Sequence, residues 1–203
     1  MSHHKIPNLN RNGFTLIELL VVIVVVGVLY ATFAEFFDNN LILFLNQQQN
    51  SMNLTELQAE SQRIADVLRG TTDIVSDGPN QLSVYAYFSP VDNYVSLVNY
   101  YLNSSGTQLL ASVTPMTSNP PIGTPITSET QIYTIISNYY NAPGNSLFTY
   151  YDLNGDILTP PVSNEQSIIN IGINLDEPIA NSSNNQVQSI NLFVNLRNRK
   201  TAI

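Results

Sequence analysis

Residues 13–34 read Gly13-Phe14-Thr15-Leu16-Ile17-Glu18-Leu19-Leu20-Val21-Val22-Ile23-Val24-Val25-Val26-Gly27-Val28-Leu29-Tyr30-Ala31-Thr32-Phe33-Ala34. This is an apolar run with one acid, Glu18, close to its start. From Leu19 to Ala34 no charge interrupts it, and Phe14 to Ile17 extend it to nearly the 20 or so residues that cross a bilayer as a helix. A carboxylate at the centre of such a helix costs roughly 2.5–3.5 kcal/mol on insertion scales, so intramembrane acids are rare and usually serve a function. The residues before Gly13 include Lys5 and Arg11 and no acid.

A secretory signal peptide shares the basic start, but its apolar core is roughly 7–15 residues long and ends in a small-x-small site. Here the run continues well beyond that length, and Leu29-Tyr30-Ala31 or Thr32-Phe33-Ala34 would make a poor site. A plain anchor has no use for Glu18 or for glycine before Phe14. The basic leader, Gly13, Phe14, Thr15-Leu16-Ile17-Glu18 and the apolar helix together resemble the prepilin signature of type IV pilins and type II secretion pseudopilins. That resemblance implies cleavage between Gly13 and Phe14 by a membrane prepilin peptidase and N-methylation of Phe14 as the new first residue. Glycine suits the scissile position because it carries no side chain to hold the backbone away from a catalytic site. The resemblance further implies that Glu18 compensates the N-terminal amine of a neighbouring subunit during assembly. A buried charge needs such a partner. The plainer alternative, a helix-start acid lying at the headgroup level, explains its depth but not its company.

The chain has 203 residues, with 11% charged, 43% hydrophobic and a formal net charge of −8. Loss of Lys5 and Arg11 with the leader would leave 5 of the 7 bases against 15 acids, a formal charge of −10. Nucleic-acid binding by the rest of the chain is not expected, because phosphate contacts need a basic patch. Arg197, Arg199 and Lys200 cluster near the end and read as a solvated terminus. There is no cysteine, so disulfides and thiolate metal sites are excluded. Many pilins close their C-terminal region with a disulfide, and this chain departs from them.

Beyond Ala34 the helical habit persists. Phe36, Phe37, Leu41, Ile42, Phe44 and Leu45 form an apolar band, and Leu54, Leu57, Ile64, Val67 and Leu68 follow the i, i+3, i+4 spacing of an amphipathic helix. Gly70-Thr71-Thr72 reads as its stop. One helix of about 55 residues is expected, roughly 80 Å long at ~1.5 Å per residue. Asn39-Asn40 and Gln47 to Asn50 are its expected weak points. Gly27 is a candidate for local unwinding in a filament, or for close packing against another helix.

From residue 79 strand patterns dominate: Leu82–Phe88, Tyr94–Leu102, Leu109–Val113, Ile132–Tyr140, Phe148–Tyr151, Ile157–Leu158, Ile168–Leu175 and Val187–Leu196. Asn154-Gly155 between two apolar strands is a strong hairpin signal. The expected fold class is therefore α+β, a long N-terminal helix packed on an antiparallel β-sheet head of one sheet or two subsheets. The expected division is a leader at 1–13, a transmembrane or filament-core helix at 14–34, an amphipathic helix at 35–78, and a β-rich head at 79–203. A helix ending in Leu68-Arg69, a Tyr100-Tyr101-Leu102 strand and the terminal Val194-Asn195-Leu196-Arg197-Asn198-Arg199 resemble, more loosely, the J-type minor pseudopilins and larger minor pilins.

Asp152 and Asp156 superficially suggest a calcium loop. Counted from Asp152, however, the glycine falls two places early, and position twelve is Ser163 where an EF-hand needs a bidentate Glu. The hairpin turn is the default reading there. Both histidines, His3 and His4, belong to the leader, so the remainder has neither His nor Cys for nucleophilic catalysis. No enzyme and no cofactor is expected.

The resemblance implies a structural subunit, a minor pilin or pseudopilin. It would be single-pass in the bacterial inner membrane, then part of an extracytoplasmic or surface filament. Its partners would be other pilins, the prepilin peptidase, a membrane assembly platform and, before assembly, the lipid bilayer. The alternatives are a filament-displayed adhesin or DNA-uptake module, and a secreted enzyme whose mature N-terminus would lie near residue 35.

Overall fold

The structure, a computed structural model, describes residues 15–140, 144–179 and 186–197. Among the described residues, helix α1 (Leu16–Arg69, 54 residues) is followed by nine strands. Contacts divide the chain into two units, Met1–Gln48 and Gln49–Ile203, and α1 contributes to both.

In the first unit every described residue of α1 except Asn46 is exposed. Its large apolar side chains stand between 49% exposed at Val22 and 82% at Leu16. No described residue of this chain covers them. The expected weak points are helical throughout. Their polar side chains support the helix by bonding one turn away: Asn40 Nδ2 donates to the Phe36 carbonyl at 2.7 Å, and Gln49 Nε2 donates to Asn53 Oδ1 at 2.8 Å.

In the second unit α1 buries Leu57, Ser61, Ile64, Ala65, Val67 and Leu68, a stripe at helical spacing. Leu54, expected on that stripe, is 37% exposed. The helix ends where glycine removes the side chain and Gly70 N donates to the Val67 carbonyl at 3.1 Å. Five strands then form an antiparallel meander: β1 (Asp73–Asp77), β2 (Gln81–Ala86), β3 (Ser96–Leu102), β4 (Leu109–Pro115) and β5 (Gln131–Ile136). Register places Leu82 opposite Tyr100 and Tyr100 opposite Ala111, while Val84 faces Val98 and Val98 faces Val113. The period of two puts all six on one buried face.

A second antiparallel sheet runs in the order β7 (Ile157–Leu158), β6 (Phe148–Tyr151), β8 (Asn170–Pro178), β9 (Val187–Asn195). It presents Phe148, Tyr150, Ile171, Ile173, Leu175 and Val194 to the same core. Tyr100 and Phe148, with ring centroids 6.5 Å apart, join the two sheets. The buried Tyr150 hydroxyl donates to the Gly78 carbonyl at 2.8 Å and accepts from Gly78 N at 3.1 Å. Desolvation raises its pKa above the ordinary tyrosine value.

The architecture is thus α+β with two subsheets, but the boundary at residue 78 moves. The helix ends at Arg69, at the stop read in Gly70-Thr71-Thr72, so the segment expected over 35–78 also takes in Asp73–Asp77, an edge strand of the first sheet. A bulge between Ile74 and Ser76 breaks the alternation that would reveal it. Asp77 is buried, and its Oδ2 accepts from Val162 N at 2.8 Å. The strand expected over Ile132–Tyr140 stops at Ile136. There the chain turns toward the second sheet, where Tyr140 N donates to the Asp176 carbonyl at 2.9 Å.

Glu177 on β8 is half-buried beside Glu56 and Glu60 of α1. Burial raises its pKa above the ordinary glutamate value, and the Glu56 charge adds to the rise. The Gln188 side chain, donating at 3.4 Å, opposes it. A carboxyl whose folded pKa is raised holds its proton more tightly in the folded state. Its contribution to stability therefore falls as pH climbs from the unfolded value through the folded one. Glu177→Gln is expected to raise the melting temperature at pH 7 relative to the parent. That advantage should shrink below pH 4.5, the ordinary glutamate value, as both states of the parent take up the proton. Thermal melts of both proteins across pH read this directly, and an equal difference at every pH would contradict the assignment.

Candidate functional site

The N-terminal end of α1 carries a closed set of hydrogen bonds. Thr15 stands just before the helix, and Glu18 is its third residue. Glu18 Oε2 accepts from Thr15 N and from Thr15 Oγ1, both at 2.9 Å. In return Thr15 Oγ1 accepts a long hydrogen bond from Glu18 N at 3.4 Å. This is a capping box, in which a hydroxyl and a carboxylate three residues apart satisfy each other's otherwise unpaired backbone donors. The signal was present in the sequence as Thr15-x-x-Glu18, but the expected role of Glu18 rested on its charge alone. In hydrocarbon, where no water can serve an exposed N–H, such a cap matters more than it does in water.

The carboxylate therefore has a local job as well as an available charge. Glu18 is exposed, and one of its two oxygens receives both bonds from Thr15. The remaining lone pairs can accept from a second donor. Gly13 and Phe14, the expected processing pair, lie outside the described residues. Gly27 is helical, and a Cβ built on it would meet nothing within 4 Å. No contact among the described residues requires a glycine there. Among the described residues, Leu16–Arg69 is the helix long and apolar enough to cross a membrane.

At the hairpin, Asp152 Oδ1 accepts from Asn154 N and Asp156 N, both at 2.8 Å, while Asp152 N donates to the Asp156 carbonyl at 3.0 Å. Gly155 has φ +87°, the left-handed region that glycine enters at low cost. β6 and β7 pair on either side, Tyr151 opposite Ile157. Asp152 thus closes the turn through its Oδ1. Among the described residues no group of three or more His, Asp or Glu side chains stands close enough to hold a metal ion.

No curated protein matches the chain at a significant level. The match to a family model falls where the capped apolar helix begins: residues 8–31 carry the prokaryotic N-terminal methylation motif, the signature of type IV pilins and pseudopilins.

Proposed function

We propose that the protein is a structural filament subunit, a minor pilin or minor pseudopilin. It is cut after Gly13 by a prepilin peptidase and N-methylated on Phe14. Residues 14–34 then hold it as a single pass in the bacterial inner membrane until a membrane platform assembles it with other pilins. The observation that carries this reading is the first half of α1. Its apolar side chains are uncovered from Leu16 to Leu45, and the methylation motif ends within it. A surface of that extent needs lipid before assembly and neighbouring helices afterwards. Glu18 supplies the charge that a neighbour's Phe14 amine would meet, and its bonds to Thr15 hold the carboxylate at the helix start.

Mass spectrometry of protein recovered from its native membrane tests the proposal. The expected N-terminus is Phe14 with one added methyl group. A mature terminus near residue 35 would overturn the reading in favour of a secreted protein.

A further inference from the structure

Beyond any filament role, the second unit contains a cavity of about 350 Å³, lined in part by the buried Ser96, Val113 and Met116. That volume falls in the range of small-ligand sites, roughly 300–1,000 Å³. Its floor is formed where β4 and β5 pair, with Gln131 opposite Val113 and Tyr133 opposite Ala111. The loop between β2 and β3 walls it with Phe88, Asp92 and Tyr94.

Phe88 and Tyr133 form a tilted pair with centroids 5.1 Å apart, and Tyr94 is 46% exposed. Around these rings stand hydrogen-bonding groups with capacity to spare. Asp92 Oδ2 accepts from Ser89 N at 3.0 Å, and Gln131 Oε1 accepts from the Tyr133 hydroxyl. That leaves the second Asp92 oxygen, the Gln131 amide nitrogen and the Glu129 carboxylate, none with a partner among the described residues. Rings beside spare carboxylate and amide groups match a ligand with a C–H face and several hydroxyls. The rings take the apolar face, the carboxylates accept from hydroxyls in charge-assisted bonds, and the amide donates.

Charge narrows the class further. Asp92 and Glu129, in a chain already strongly acidic, repel phosphates and other polyanions. The Arg63 guanidinium lies 4.9 Å from the Phe88 centroid and already covers one face of that ring. From this we infer that the cavity is a binding site for a neutral saccharide.

The test uses the full chain in a detergent without a sugar headgroup, such as lauryldimethylamine oxide. Saturation-transfer NMR is run with maltotriose, cellotriose and triacetylchitotriose, and with choline and a short single-stranded DNA as controls. At least one trisaccharide should receive saturation, and the controls should not. Tyr94→Ala and Glu129→Gln, both at exposed positions, should each weaken that binding about tenfold while circular dichroism stays unchanged. No transfer to any trisaccharide, or transfer indifferent to both substitutions, would overturn the site. Binding of choline or DNA that both substitutions abolish would overturn the ligand class. Both variants should enter filaments as the parent does, so the saccharide proposal can fail while the filament reading stands.

Discussion

Glu18→Ala protein is expected to be cut normally and to reach the membrane, yet to enter filaments at least tenfold less than the parent. Two losses coincide in that substitution. The helix loses its capping box, a loss worth about 0.5–2 kcal/mol in water, and the filament loses the proposed counter-charge to a neighbour's amine. An ammonium group buried without its partner costs several kcal/mol, which is why the effect should be large. Glu18→Gln separates the two contributions. A glutamine oxygen can still accept from Thr15 N and Thr15 Oγ1, so the cap survives while the charge is gone. Quantitative immunoblots of sheared filaments against total membrane protein give the ratio. If the Glu18→Gln protein assembles like the parent while the Glu18→Ala protein does not, the carboxylate acts as a cap and the proposed pairing is wrong. If both fail, the charge is what assembly requires.

The second large effect is expected at Gly13. Gly13→Val should leave the precursor whole, because a β-branched side chain stiffens the backbone and blocks its approach to a peptidase. The uncut chain would keep Lys5 and Arg11, and with them two positive charges on the leader. It should accumulate in the membrane with the leader mass intact and be missing from filaments. Intact-mass measurement settles the point, and normal removal of the leader would refute the proposed cleavage position. Because the substitution changes only the leader, its outcome is independent of saccharide binding by the head.

Much of the fold was legible because two periodicities dominate it. Leu82, Val84 and Ala86 alternate along one strand, while Leu57, Ile64 and Leu68 recur at helical spacing, and both sets are buried as their period demands. Asn154-Gly155 announced the hairpin for a conformational reason that Gly155 then shows in its positive φ. What the pattern hid were elements held by single polar contacts. β1 is short, bulged and bounded by Asp73 and Asp77, residues that disfavour strands, and a distant amide at Val162 satisfies the buried Asp77 carboxylate. The cavity was equally invisible, since Phe88 and Asp92 are far in sequence from Glu129 and Tyr133 and converge with them only when β4 and β5 pair. The capping box is different. Its two residues are three apart and stand in the sequence as Thr15-x-x-Glu18, a pattern that marks a helix start without any long-range contact.

Strand β9 is held in place without a covalent clasp. β9 pairs with β8 over nine consecutive positions, from Asn195 opposite Asn170 to Val187 opposite Pro178, and the protein contains no cysteine. The C-terminal region is therefore fastened by a ladder that assembles as fast as a hairpin can zip, with no thiol to oxidise and no wrong pairing to correct. Its folding makes no demand on an oxidising compartment or a disulfide catalyst. A reductant strong enough to open a clasped head would leave this one unchanged.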